Sequence, residues 1–371
     1  MINVSWFFVL HRIAIAKMAR ERGVDVHIAC GEGEGGRDDI EKAGFPFHGL
    51  PLTRTRFAPW QDLKSLIAIF RLYRKLRPDI VHHVTLKPIV LGSIAAKLAG
   101  VPGVINAFAG LGSVYSGRSW SSHLYRMVLH VLMHLSLKLP RQKVVFENGD
   151  DRTQLTRAGS VSEVDSLVIA GVGVDTSEFC PAPEPAAPVL VLMAGRMLRE
   201  KGVVYFVDAA RRLRNRGLPA RFLLVGIPDP FNPRSITEDE LRAWSSEGIV
   251  EWLGYRHDMP QVVRDSHIVC LPTYYREGVP RILIEGAASA RPLVTTDMPG
   301  CRDIVQDGIN GIVVPPHDVD ALEAALGKLI SDAGLRARFG AEGRRIAEQQ
   351  FALPLVLEKF WELYLAVGLR A

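Results

Sequence analysis

Two glutamates, Glu277 and Glu285, stand eight positions apart in "REGVPRILIEGAASARP", residues 276–292. The first lies in a Gly/Pro turn, the second in an apolar run of helical character. Ahead of them "HIVCLPT" reads as a strand. Open α/β sheets bind ligands outside the carboxyl ends of their strands. The loop after this strand would therefore bring Glu277 and the N–H groups of Gly278 and Val279 to a ligand. A helix starting near Pro280 would point its N-terminus at an anion. Glu285, just over one turn inside that helix, would still reach a bound polyol, because carboxylates accept hydrogen bonds from sugar hydroxyls.

A second cluster stands upstream. "AGRMLREKG", residues 194–202, follows the apolar run "VLVLM" and sets Arg196 and Lys201 five apart at a strand-to-helix junction. An arginine and a lysine converging there suit a diphosphate, which the arginine fork can grip with two bonds. A diphosphate clamp beside a sugar-hydroxyl clamp describes a nucleotide-sugar site. Gly195, Gly226, Gly278, Val279 and Pro280 complete the expected donor-binding set.

The elements that must position these residues alternate along the chain. "VDVHIAC", "DIVHHVT", "GVINAFAG" and "QKVVFEN" read as strands between helical stretches in the first half. "VLVLMAG", "ARFLLVG", "IVEWLG", "HIVCLP" and "PLVTT" repeat the pattern in the second. Such alternation predicts parallel, doubly wound sheets, here twice. With 371 residues the chain is too long for one core and right for two domains. The expected division is 1–168, 169–348 and a last helix, 349–371, packing back toward the N-terminal domain. "PAPEPAAP", residues 181–188, is the expected linker. "MINV" leaves little room for a first strand, so either that strand is very short or the true start lies upstream.

"GRMLREKG" together with "PTYYREGVPRILIEGAASARPLVTTDMPGCRDIVQDGINGIVVP" closely resembles the retaining glycosyltransferases of family 4. The resemblance spans essentially the whole chain, including "GVGVDTSEF" (171–179) and "WLGYRHDM" (252–259). "HHVTLKP" (82–88) and "AGLGSVYSG" (109–117) resemble the bacterial subgroup that extends capsular, O-antigen or N-glycan precursors on a polyprenyl diphosphate. The resemblance implies a GT-B fold, two Rossmann-like domains facing a central cleft. It implies that Arg196 and Lys201 bind the donor diphosphate and stabilise its departure. Glu285 would hold the ribose, and Glu277 the donor sugar. It also implies front-face attack with retention, Glu277 positioning rather than forming a covalent bond. No metal or other cofactor is expected; the nucleotide sugar, expected to be UDP-linked, is a substrate. Ala290 stands where the family usually has glycine.

The acceptor, a polyprenyl-diphosphate-linked saccharide, is expected on the N-terminal domain. Candidate residues are His82 and His83 at the end of a strand, Thr85 and Lys87 in the loop beyond, and Gly110 and Gly112, which permit close backbone approach. His11 and Arg12 begin the first helix, facing the cleft or capping it. Residues 1–170 hold 22 Lys and Arg against 14 Asp and Glu, so this half carries the positive surplus. The stretch 53–78 sets Arg54, Arg56, Lys64, Arg71, Arg74, Lys75 and Arg77 beside Phe57, Trp60, Phe70 and Tyr73. That composition suits an anionic bilayer surface, as does the apolar run 120–139. A cytoplasmic protein, peripheral at the inner face of the plasma membrane, is expected.

Other classes fit less well. No G-x-G-x-x-G follows the first strand, which argues against a dinucleotide oxidoreductase. A non-hydrolysing sugar-nucleotide epimerase shares the architecture but needs no basic, lipid-facing half; a catalytically impaired nucleotide-sugar binding protein is the other alternative. No nucleic-acid motif is present. Four cysteines, at 30, 180, 270 and 301, are too scattered for a disulfide framework or zinc knuckle. The longest apolar run is short of a membrane span, and the N-terminus lacks a secretory leader pattern.

Overall fold

Short apolar runs become buried parallel strands, and the amphipathic runs between them become covering helices. The computed structural model describes residues 1–33, 35–53, 58–112 and 120–369, and of 120–125 the backbone alone. Arg54, Arg56, Phe57 and the last five residues of "AGLGSVYSG" lie outside the described residues. The chain forms two compact units, Met1–Val172 with Pro354–Ala371, and Gly173–Leu353.

The first unit holds β1 (Ile28–Gly31), β2 (Phe47–Leu50), β3 (Ile80–Val84), β4 (Gly103–Phe108), β5 (Gln142–Phe146) and β6 (Ser166–Val168). β1 pairs with β2, and β3-β4-β5-β6 run side by side, all parallel. The opening segment joins the two groups. Ile2 bridges Cys30 on one side and Val84 on the other. Its N–H donates to the Ala29 carbonyl at 3.0 Å, and the Val84 N–H donates to Met1 at 2.9 Å. Ile2 thus forms a single β-bridge on each side rather than a strand.

One core of this unit includes Ile2, Phe8, Ile15, Ile105 and Val145 together with Val356, Phe360 and Leu363 from the helix Leu353–Ala366. Separate cores lie around the helix Leu86–Ala99, with Ile69, Tyr73, Val81 and Leu91 in one and Ile89, Phe108, Met133 and Phe146 in another.

The second unit is a six-stranded parallel sheet ordered β12-β11-β10-β7-β8-β9. Its strands are β7 (Val189–Ala194), β8 (Ala220–Val225), β9 (Glu251–Trp252), β10 (Ile268–Leu271), β11 (Leu293–Thr296) and β12 (Gly311–Val314). From β7 the chain winds outward through β8 and β9, then returns to β10 and winds the other way. The order reverses between β7 and β10, and in open α/β sheets ligands bind at the carboxyl edge beside such a reversal.

The proline-rich stretch 181–188 is not a free linker. Arg336 grips Glu184 through two hydrogen bonds of 2.8 Å, Arg291 donates to the Ala182 carbonyl at 3.1 Å, and the His267 ring lies 3.1 Å from the Pro185 carbonyl. These contacts bind it into the second unit, whose border falls earlier, at Val172 and Gly173. Four prolines keep the stretch extended without making it loose.

Candidate active site

β7 and β10 are neighbours, so the loops leaving their carboxyl ends meet. After β7 the chain passes through Gly195 and Arg196 into a single 3-10 turn, Arg199–Lys201, and then the helix Val203–Asn215. After β10 it runs through residues 272–280 into the helix Arg281–Ala288. Gly202 makes the junction possible. Its φ is +84°, and any Cβ there would strike the Pro272 carbonyl. This close approach brings Lys201 to Glu277.

Lys201 Nζ and Glu277 Oε2 form an ion pair, both side chains largely buried. Thr273 Oγ1 lies 3.0 Å from Glu277 Oε1 and 3.0 Å from the Glu200 carbonyl. The glutamate is thus anchored from below while its partner ammonium keeps donors for a further anion. Arg196 lies on the β8 side of the same edge. Its Nη1 donates to Asp229 Oδ2 at 2.9 Å; Asp229 is 6% exposed. Gly226, at the end of β8, has φ +135° and passes so close to the Gly195 carbonyl that no side chain would fit.

The helix Arg281–Ala288 begins after Pro280, which has no side-chain acceptor with which to cap it. Its first N–H groups and those of Gly278 and Val279 belong to the same edge, an arrangement suited to anions. Glu285 is buried inside this helix, where Arg281 Nε donates to Oε1 at 2.7 Å. Burial raises the carboxyl above its ordinary pKa, and Arg281 opposes the shift.

Three residues of this site escaped sequence reasoning. Arg281 had a usable signal, the i,i+4 spacing to Glu285. Thr273 had a weaker one, being the first polar residue after the strand. Asp229 had none beyond its turn-rich surroundings, because its partner is 33 positions away.

On the first unit the expected acceptor residues do not form one constellation. His82 and His83 are consecutive in β3, so their side chains leave by opposite faces. His82 Nδ1 lies 2.9 Å from the Tyr364 hydroxyl, and its ring stacks on Phe360. Its pKa is lowered well below the usual value, chiefly by burial. His83 is fully buried, with Nε2 2.8 Å from the Tyr73 hydroxyl and Nδ1 2.8 Å from Asn106 Oδ1. Burial lowers its pKa to about 3. It ties β3 to the helix Pro59–Leu76 and to β4.

Lys87 likewise turns inward, donating to Asp62 Oδ1 at 2.8 Å and Thr53 Oγ1 at 3.1 Å. A buried lysine must be paired, and Asp62 pairs it. Arg12 is also buried, in an ion pair of 2.5 Å with Glu147, while the His11 ring packs on Phe7. Thr85 has φ +73°, an unusual backbone for a β-branched residue, and donates to Asn3 Oδ1 at 2.9 Å. Gly110 and Gly112 both take positive φ, and Asp151 accepts the Leu111 N–H between them at 3.0 Å.

Among the described residues there is no group of three or more His, Cys, Asp or Glu able to hold a metal, and no helix is long and apolar enough to cross a membrane. The four cysteines are free, and burial pushes the Cys301 thiol up to about 12.

Two family models match the sequence: "Glycosyl transferase 4-like" over residues 1–139 and "Glycosyl transferases group 1" over residues 188–332. A Campylobacter jejuni relative, N,N'-diacetylbacillosaminyl-diphospho-undecaprenol alpha-1,3-N-acetylgalactosaminyltransferase, is 25% identical over 95% of this chain and 94% of its own. The Escherichia coli UDP-Gal:alpha-D-GlcNAc-diphosphoundecaprenol alpha-1,3-galactosyltransferase is 25% identical over 83% of this chain and 80% of its own. The crystal structure of Anabaena HepE in complex with UDP is similar in fold, with a TM-score of 0.77, 19% identity and coverage of 97% of both chains. The sheet order, the loops that meet at its reversal and the matches along both units agree: the chain is a glycosyltransferase of GT-B fold, with a glycosyl transferase 4-like match in its first half and a group 1 match in its second.

Proposed function

We propose that this glycosyltransferase moves a hexose or N-acetylhexosamine from a nucleotide sugar, UDP-linked, to a polyprenyl-diphosphate-linked saccharide, with retention at the anomeric carbon. The observation that carries the donor side is the Lys201–Glu277 ion pair at the reversal of strand order between β7 and β10, with Arg196, held by Asp229, on the β8 side of the same edge. Two cations at that edge suit a nucleoside diphosphate, and the glutamate beside them suits sugar hydroxyls. The acceptor class is supported by the two relatives, whose names carry undecaprenyl-diphosphate-linked saccharides.

In the proposed reaction the acceptor hydroxyl attacks the anomeric carbon on the face that the diphosphate leaves. The bond from that carbon to the diphosphate breaks as the new glycosidic bond forms. The hydroxyl proton passes to a diphosphate oxygen. Arg196 and Lys201 stabilise the charge that develops on the leaving group, Glu277 orients the sugar, and Glu285 holds the ribose. Donor charge is met by side chains and helix N–H groups, so the transfer is proposed to be metal-independent. It takes place at the inner face of the membrane, in the synthesis of capsule, O-antigen or a related glycan.

A donor screen tests this reading. UDP-hexoses, UDP-N-acetylhexosamines and GDP-mannose are offered with a polyprenyl-diphosphate saccharide, with and without EDTA. A lengthened lipid-linked product from a UDP-sugar, formed equally in EDTA, is expected. Turnover that stops in EDTA and returns with added metal would refute metal independence. Interconversion of the donor sugar without an acceptor would refute transfer.

A further inference from the structure

The loop of residues 226–236 carries "GIPDPFNPRSI", whose turn residues do not disclose what they serve. In the structure it is laced to the segment that bears Arg196. Met197 N–H donates to the Ile227 carbonyl at 3.1 Å, and the Met197 carbonyl accepts the Ile236 N–H at 2.8 Å. Arg199 N–H donates to the Arg234 carbonyl at 3.0 Å, and Leu198 and Ser235 form an antiparallel bridge. Asp229 is fixed within this loop. Its N–H donates to Ser235 Oγ at 2.8 Å, its carbonyl accepts the Asn232 N–H at 2.9 Å, and its Oδ1 accepts the Phe231 N–H at 3.2 Å.

The remaining oxygen, Oδ2, takes Arg196 Nη1 at 2.9 Å. The two partners differ in exposure: Asp229 is buried, whereas the Arg196 side chain is 37% exposed. The carboxylate thus holds the inner corner of the guanidinium. Arginine presents paired donors on more than one edge, and occupation of Nη1 leaves Nε and Nη2 as a fork for an anion. A freely rotating arginine would pay rotamer entropy to adopt that pose at each turnover; an anchored one would not.

We propose that Asp229 is a positioning residue that sets the Arg196 fork against the departing diphosphate. The inference rests on the diphosphate role given to Arg196 above, and deepens it by assigning a residue that acts through Arg196.

The test is a double-mutant cycle on turnover in the full chain with saturating donor. Asp229→Asn keeps the size of the side chain and an oxygen for the Phe231 N–H while removing the charge. It is expected to lower kcat about tenfold, with donor KM changed less than about twofold and melting close to that of the parent. In an Arg196→Ala background the same change should alter kcat by less than about twofold, because the arginine through which it acts is gone. Asp229→Glu should recover part of the kcat lost in Asp229→Ala. A merely structural role in the loop would instead lower kcat by the same factor in both backgrounds, and that result overturns the inference. Normal kcat in Asp229→Asn beside a crippled Arg196→Ala overturns it alone. Normal kcat in Arg196→Ala overturns the diphosphate role of Arg196 and this inference with it.

Discussion

The two cations proposed to meet the donor diphosphate are each held by a carboxylate from another part of the chain, Lys201 by Glu277 and Arg196 by Asp229. The site is therefore organised before any donor arrives, and preorganised charge is what stabilises a leaving group. Arg196→Ala and Lys201→Ala should each lower turnover at saturating donor by roughly 10²-fold. Near-normal turnover in both would remove the diphosphate assignment. Lys201→Ala should also lower the melting temperature, since it leaves the largely buried Glu277 without its cation. Glu285→Ala should act on binding. Loss of a charge-assisted hydrogen bond to the ribose costs on the order of 1.5–3 kcal/mol, read by titration of UDP. Equal UDP affinity in mutant and parent would show that Glu285 does not touch the nucleotide.

At the scale of elements, β3 shows how neighbours in one motif part company in the fold. "HHVTLKP" stood out in the sequence, but strand alternation splits the histidines between two faces. His83 then joins Tyr73 and Asn106 in a buried network held neutral by desolvation. Its folded pKa is depressed to about 3 from an ordinary 6.5. Neutral His83 thus contributes stability above about pH 6.5 that is lost as pH falls toward 3, at up to about 1.4 kcal/mol per pH unit. His82, also lowered, adds in the same direction. His83→Gln should be less stable than the parent at pH 7.5 yet lose less stability between pH 7 and pH 5. Parallel melting curves across that range would contradict the assignment.

The alternation of elements and the parallel sheets were legible because they depend on local pattern, and the placing of Lys201 and Glu277 at one sheet edge because it follows from which strands end there. The inward turn of Lys87 onto Asp62 and the anchoring of the 181–188 stretch were not, because both depend on distant partners.

At the scale of the molecule, the first unit carries the surface expected to meet lipid. The helix Pro59–Leu76 exposes Trp60, Leu63 and Ile67 beside Lys64, Arg71, Arg74 and Lys75. Phe70 and Tyr73, expected to join them, pack inward instead. The helix Trp120–Ser136 exposes Met127, Val128, Val131 and Leu135. Both helices pack against Leu86–Ala99. Each basic side chain near an anionic surface is worth about 1 kcal/mol, and salt screens it. The protein should sediment with anionic vesicles at low salt, not with neutral ones. Arg71, Arg74 and Lys75 changed together to glutamate should abolish this while sparing UDP binding. Equal sedimentation with neutral vesicles, or no effect of the triple change, would mark the face as merely solvated.

The central claim concerns group transfer, and the most direct measurement follows both products of one turnover. With the accepted UDP-sugar and a polyprenyl-diphosphate saccharide, UDP is quantified and the new glycosidic linkage is assigned by NMR. The account predicts equimolar UDP and lengthened lipid, with the α-configuration of an α-linked donor retained. UDP released with free sugar, or a product of inverted configuration, would contradict it.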